Sequence, residues 1–120
     1  LFRSSGKEIE ELPHLPDSCP NEYVAARMVY PADLLAKNIS GYALCEFTID
    51  KEGVILRPHI LKSTHPEFAE EALRIVKEMP KWTPALVGGK PADSTYTLYV
   101  PFRPRLYKEQ VRERGLSKKD

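Results

Sequence analysis

The sequence predicts an α+β fold, a three-stranded antiparallel sheet in the order 2-1-3 covered on one face by helices. Three observations carry that expectation. Apolar residues recur at every second position from Gly41 to Ile49. They recur at helical spacing between Pro66 and Met79. Pro58 interrupts the second of three extended runs, and a proline, lacking an amide donor, bars that run from the centre of a sheet.

Taken in order, Leu1 to Pro20 is polar and punctuated by Pro13, Pro16 and Pro20, which leaves room for a short strand and little else. Asn21 to Val29 reads as one or two helical turns. Pro31 is suited to a first helical position, and Ala32 to Lys37 form a short helix with Leu34 and Leu35 inward. Asn38 is its left-handed cap. The period then changes to two. Ala43, Cys45, Phe47 and Ile49 share one face, with Tyr42, Glu46 and Thr48 on the other.

Asp50-Lys51-Glu52-Gly53 is a hairpin loop with a left-handed position. The return strand is Val54 to Lys62. Pro66 opens the main helix, whose inward face is Phe68, Ala69, Ala72, Leu73, Val76 and Met79. Glu67, Glu70, Glu71, Arg74, Lys77 and Glu78 are assigned outward, and Pro80 stops the helix. A Trp82–Lys90 connection with a Gly88-Gly89 turn leads to the last strand, where Tyr96, Leu98, Val100 and Phe102 face the core. A hairpin followed by a helical crossover, with the second strand confined to an edge, makes the first strand central. The last strand then pairs antiparallel to it and keeps its outer edge open.

The 120 residues suffice for one domain with a modest core. The divisions read from the sequence are an N-terminal extension over 1–29, the domain proper over 30–102, and a charged tail over 103–120. With 18 basic and 17 acidic residues, bulk charge selects neither nucleic acid nor an anionic membrane. The tail alone is basic, with seven Lys and Arg against three Asp and Glu. It is read as irregular, a weak amphipathic helix through Leu106, Val111 and Leu116 being the alternative. No apolar run approaches the roughly 20 residues that span a bilayer. Since the chain opens on Leu1, it is read as part of a longer or processed product.

Nothing in the sequence points to chemistry. Cys19 and Cys45 are too few for a disulfide framework or a zinc site, and Cys45 is expected to be a free core thiol. His14, His59 and His65 share no ligand spacing. Gly88-Gly89-Lys90 precedes a strand and lacks phosphate-loop spacing. Glu46 and Asp50 stand roughly 13 Å apart along their strand, too far for a working carboxylate pair. No cofactor and no metal are expected. Trp82 is read as a packing residue, with peptide contact as the alternative. Tyr42 and Tyr99 are outward and open to a partner.

The order of Tyr30-Pro31, Gly41, Asp50 to Gly53, Ser63, Pro80-Lys81-Trp82-Thr83-Pro84, Lys90-Pro91 and Phe102 resembles the C-terminal domain of TonB-type energy transducers, in the style of Bacteroidetes members. His65 departs from the usual aspartate, Tyr99 from a frequent proline, and the tail is longer than most. The resemblance implies a periplasmic domain, tethered to the inner membrane through an upstream segment. Such a domain binds the TonB box of outer-membrane transporters by strand addition and meets motor proteins of the ExbB and ExbD kind through another region. The binding strand would be Ser94, Thr95, Tyr96, Thr97, Leu98, Tyr99 and Val100, and the same edge would allow a homodimer. Two alternatives are a TonB-like module of a secreted, lipid-anchored or membrane sensor or peptidase protein, and a small enzyme or carrier.

Overall fold

The structure, a computed structural model, describes residues 10–16 and 19–117. Readings of the first nine residues, of Asp17 and Ser18 and of the last three lie outside the described residues. In chain order the elements are α1 (Pro20–Arg27), α2 (Ala32–Ala36), β1 (Gly41–Ile49), β2 (Ile55–Ser63), α3 (Pro66–Lys77), β3 (Ala85–Val87), β4 (Lys90–Ala92), β5 (Ser94–Phe102) and α4 (Pro104–Ser117).

The main sheet is β2-β1-β5, both pairs antiparallel, so the expected 2-1-3 order holds with β5 as the third long strand. β1 alternates as anticipated, with Ala43, Cys45, Phe47 and Ile49 sealed in the core. The two ladders beside it differ. β1 and β5 run in unbroken register from Gly41 opposite Phe102 to Ile49 opposite Ser94. Between β1 and β2 the register shifts twice, and each shift places one extra β2 residue in the ladder. One shift spans Arg57 and Pro58, with Arg57 at φ 52°, a left-handed conformation uncommon for a side-chain-bearing residue. The proline therefore has both outcomes anticipated for it, an edge position and a bulge.

α3 lies over β1 and β2. Phe68 stacks on Phe102 with ring centroids 4.1 Å apart, and Tyr30 meets both rings edge-on. Phe47 stacks on Tyr96 and takes the edge of Trp82, which is buried as a packing residue. The hairpin turn is closed by the Asp50 carboxylate, which accepts from the Glu52 and Val54 amides. Gly53 there has φ 84°, and the Trp82 amide donates to its carbonyl at 2.9 Å. A Cβ at this position would stand 2.0 Å from the Trp82 carbonyl oxygen, so the site demands glycine for two reasons.

Six expectations are corrected. α3 ends at Lys77, its core face includes Ile75, and Glu71 is buried rather than outward. The Glu71 carboxylate accepts the Val29 amide at 2.6 Å and both Nε and Nη2 of Arg74, while Arg74 Nη2 also donates to the Arg27 carbonyl. A buried carboxylate is stable there because its oxygens are saturated by donors, one of them cationic. The Arg74 guanidinium is correspondingly pushed up by its hydrogen bonds to Glu71, which outweigh burial.

The region before Tyr30 is not mere extension: α1 puts Tyr23 and Val24 into the core, joined by Leu15 and Met28. The Trp82–Lys90 connection contains a small hairpin, β3-β4, turned by Gly88 and Gly89. Glu11 and His14 bridge to Leu86 and Thr83 beside it. The tail begins as the regular helix α4, with buried Pro104 at its start.

Two stability experiments follow. Phe47→Ala should cost about 3–5 kcal/mol in denaturant melts, because it empties the space between Tyr96 and Trp82; a loss below about 1 kcal/mol contradicts that packing. Glu71→Ala strands the Val29 amide and frees Arg74, which is part-exposed and rehydrates. It should cost about 2–3 kcal/mol by the same measurement.

Candidate functional site: the outer edge of β5

The main-chain direction along β5 follows from the hydrogen bonds of β1. The Tyr42 carbonyl accepts from Thr64, and the Asp50 amide donates to Val54, both on the β2 side. Backbone groups of successive strand residues point to opposite sides. Even-numbered residues of β1 therefore address β2, and Ala43, Cys45, Phe47 and Ile49 address β5. Their partners are Val100, Leu98, Tyr96 and Ser94. Those four β5 residues spend their amides and carbonyls on β1. Thr95, Thr97, Tyr99 and Pro101 point theirs to the outer side, where no strand pairs among the described residues.

The seven residues assigned from the sequence thus divide by role. Thr95, Thr97 and Tyr99 offer a donor and an acceptor each to the open edge. Ser94, Tyr96, Leu98 and Val100 hold the strand to β1, and the last three pack into the core cluster. Pro101, absent from the assignment, offers a carbonyl and no amide. A proline is tolerated in the ladder there because its missing donor faces outward. Tyr99 is half exposed and leans on Tyr42, ring centroids 5.7 Å apart, on the face away from the helices.

The edge is bounded at one end by a cavity of about 310 Å³. Val24 and Ala25 of α1, Met28 just after it, Tyr99 and Pro101 of β5, and Tyr107 of α4 contribute to its wall. α1 and the residues just after it are held there by two bonds, the Tyr23 hydroxyl donating to the carbonyl of Glu78, which caps α3, and the Val29 amide to Glu71 within α3. At the neighbouring end of the core the Tyr30 hydroxyl donates to the Ile39 carbonyl, and burial pushes that phenol up. Neither α1 nor α4 was assigned to the site from sequence. The one available signal was Pro104 preceding Leu106, Tyr107 and Val111 at helical spacing.

The two carboxylates weighed from the sequence, Glu46 and Asp50, have structural partners. Glu46 meets His59 across the β1–β2 ladder at 3.1 Å, and Asp50 closes its turn. Among the described residues no three His, Cys, Asp or Glu side chains are grouped to hold a metal ion, and no helix is long and apolar enough to cross a membrane. Both cysteines are free, Cys19 exposed and Cys45 buried.

Comparison with known proteins agrees with this architecture. The family model described as the Gram-negative bacterial TonB protein C-terminal matches residues 26–104. The chain belongs to that family. The solution NMR structure of the Pseudomonas aeruginosa TonB C-terminal domain is similar, with a TM-score of 0.53 and 27% identity over 63% of this chain and 77% of that one. A search of curated proteins found no match. The family match begins in the last turn of α1 and stops at the first residue of α4. In this TonB-family domain most of both helices that border the β5 edge therefore lie outside the matched segment.

Burial pushes the Cys45 thiol up to about 11, so at pH 8 it is protonated as well as inaccessible. A chromogenic thiol reagent should titrate one cysteine in the folded protein and two after denaturation. Two rapid equivalents without denaturant contradict the β1 packing.

Proposed function

We propose that this domain captures an extended peptide by strand addition to β5, as the peptide-binding domain of a TonB-type energy transducer. The partner in this reading is the TonB box of an outer-membrane transporter, and the coupling supports import driven by the proton-motive force. The domain then works in the periplasm, tethered to the inner membrane by a segment upstream and linked through another region to motor proteins of the ExbB and ExbD kind. The observation that supports it is the straight β5 edge, where Thr95, Thr97 and Tyr99 turn paired donors and acceptors outward. Main-chain pairing tolerates varied peptide sequences, which suits one domain serving several transporters. The opposite edge is a poorer template, since β2 carries two bulges and Pro58. The β5 edge would equally accept a second copy of the chain.

Titration of a TonB-box peptide into isotope-labelled protein tests the reading. Amide shifts should cluster between Thr95 and Tyr99. Thr97→Pro removes an outward donor without touching the β1 ladder and should weaken binding by about tenfold or more, the loss of one hydrogen bond plus the steric bulk of the ring. Thr97→Ala should change little. Shifts centred elsewhere, or affinity indifferent to Thr97→Pro, reject strand addition.

A further inference from the structure

The outward main chain of β5 and the α1–α4 cavity share two residues, Tyr99 and Pro101. Between them lies Val100, whose side chain points to the helix-covered face. Directly opposed residues on neighbouring strands point their side chains to the same face. A residue of an added strand lying opposite Val100 therefore projects toward α1 and α4, at the mouth of the cavity. We propose that this cavity is a side-chain subsite for the captured strand, taking one bulky aliphatic or aromatic residue of an acidic extended peptide. The inference rests on the strand-addition reading and adds a selectivity to it.

Three further features specify the occupant. The wall is largely apolar, and the rim keeps Leu106 46% exposed, so a hydrophobic side chain finds a partner there. Pro101 withholds a main-chain donor and leaves only its carbonyl at this end of the edge, so side-chain burial supplies a larger share of the affinity at that step. Arg103, just before α4, and Arg105, Lys108 and Arg112 within it face solvent against the single acidic Glu109 over the same stretch. None of the four is in an ion pair among the described residues. This charge favours an acidic peptide. A second copy of the chain does not fit the cavity: the helix-facing side chains of its β5 are already packed beneath its own helices.

The test uses the full chain and a host peptide, acetyl-Glu-Thr-Thr-X-Thr-Thr-Glu-amide, with X either Leu or Ala, read by fluorescence anisotropy and by amide shifts. The Leu peptide should bind about tenfold more tightly than the Ala peptide, the effect of burying a few extra methylenes. Only the Leu peptide should add shifts at Ala25 and Tyr107 to those along Thr95 to Tyr99. Replacing both terminal Glu residues by Lys should weaken binding, with the difference shrinking as salt is raised. Ala25→Trp fills the cavity and should bring the Leu and Ala peptides to the same affinity. Gln110→Trp does so from α4 if the first variant loses its amide dispersion. Equal affinities for Leu and Ala in the unaltered protein, with shifts along the edge, overturn the subsite and leave strand addition standing. A Leu preference that survives a folded filler variant also overturns it. Absence of binding by either peptide, or binding indifferent to Thr97→Pro, overturns both readings.

Discussion

Everything in the molecule is placed by β1, the strand that is hydrogen-bonded on both sides and sealed on one face. Its four inward residues fix which side of the sheet the helices cover, and its even and odd main-chain groups fix what each neighbour must supply. The neighbours answer differently. β5 matches it residue for residue, whereas β2 slips twice to accommodate Leu61 and the Arg57–Pro58 step. The sheet consequently has one straight edge and one kinked edge. That asymmetry is covalent in origin, because an amide missing at Pro58 is missing in every conformation.

The parts of this fold that are local were legible in the residues. The alternation in β1, the left-handed Asn38 at φ 60°, the glycine turns and the proline-marked edge follow from neighbours in sequence. The parts that were not legible depend on distant partners. Glu71 looks like an outward charge on a helix and becomes an inward one only because Val29, 42 residues earlier, offers its amide. Ile75 was passed over although it follows Phe68 and Ala72 at helical spacing, and it is sealed in the core. The β3-β4 hairpin is three residues per strand and joins a segment near residue 11, a pairing with no periodic signature. The tail's charge favoured an irregular reading over the helix that forms, whose Tyr107 ring meets Tyr30.

The candidate site divided in the same way. That β5 is the open strand follows from order and composition. Which of its residues face outward depends on phase, and phase required one known hydrogen bond at each end of β1. The helical walls beside it were hidden altogether, because they come from chain segments on either side of the domain proper. In the proposed reading, main-chain pairing and side-chain selection are physically separate on this edge. The first is carried by a strand within the segment matched to the family, and the second is inferred for elements mostly beyond it.

Gly53 carries a consequence for the order in which the molecule assembles. Its turn is closed by residues within four positions of one another, so it forms at small entropic cost and early. The Trp82 amide reaches the same glycine across a gap of 29 residues, and with Trp82 come the Thr83 contact to His14 and the hairpin beyond it. The tip of a local hairpin is thus the landing point for a remote segment. The β1–β2 hairpin tip is tied both to its own neighbours in sequence and to a remote segment that carries Trp82 into the helix-side core.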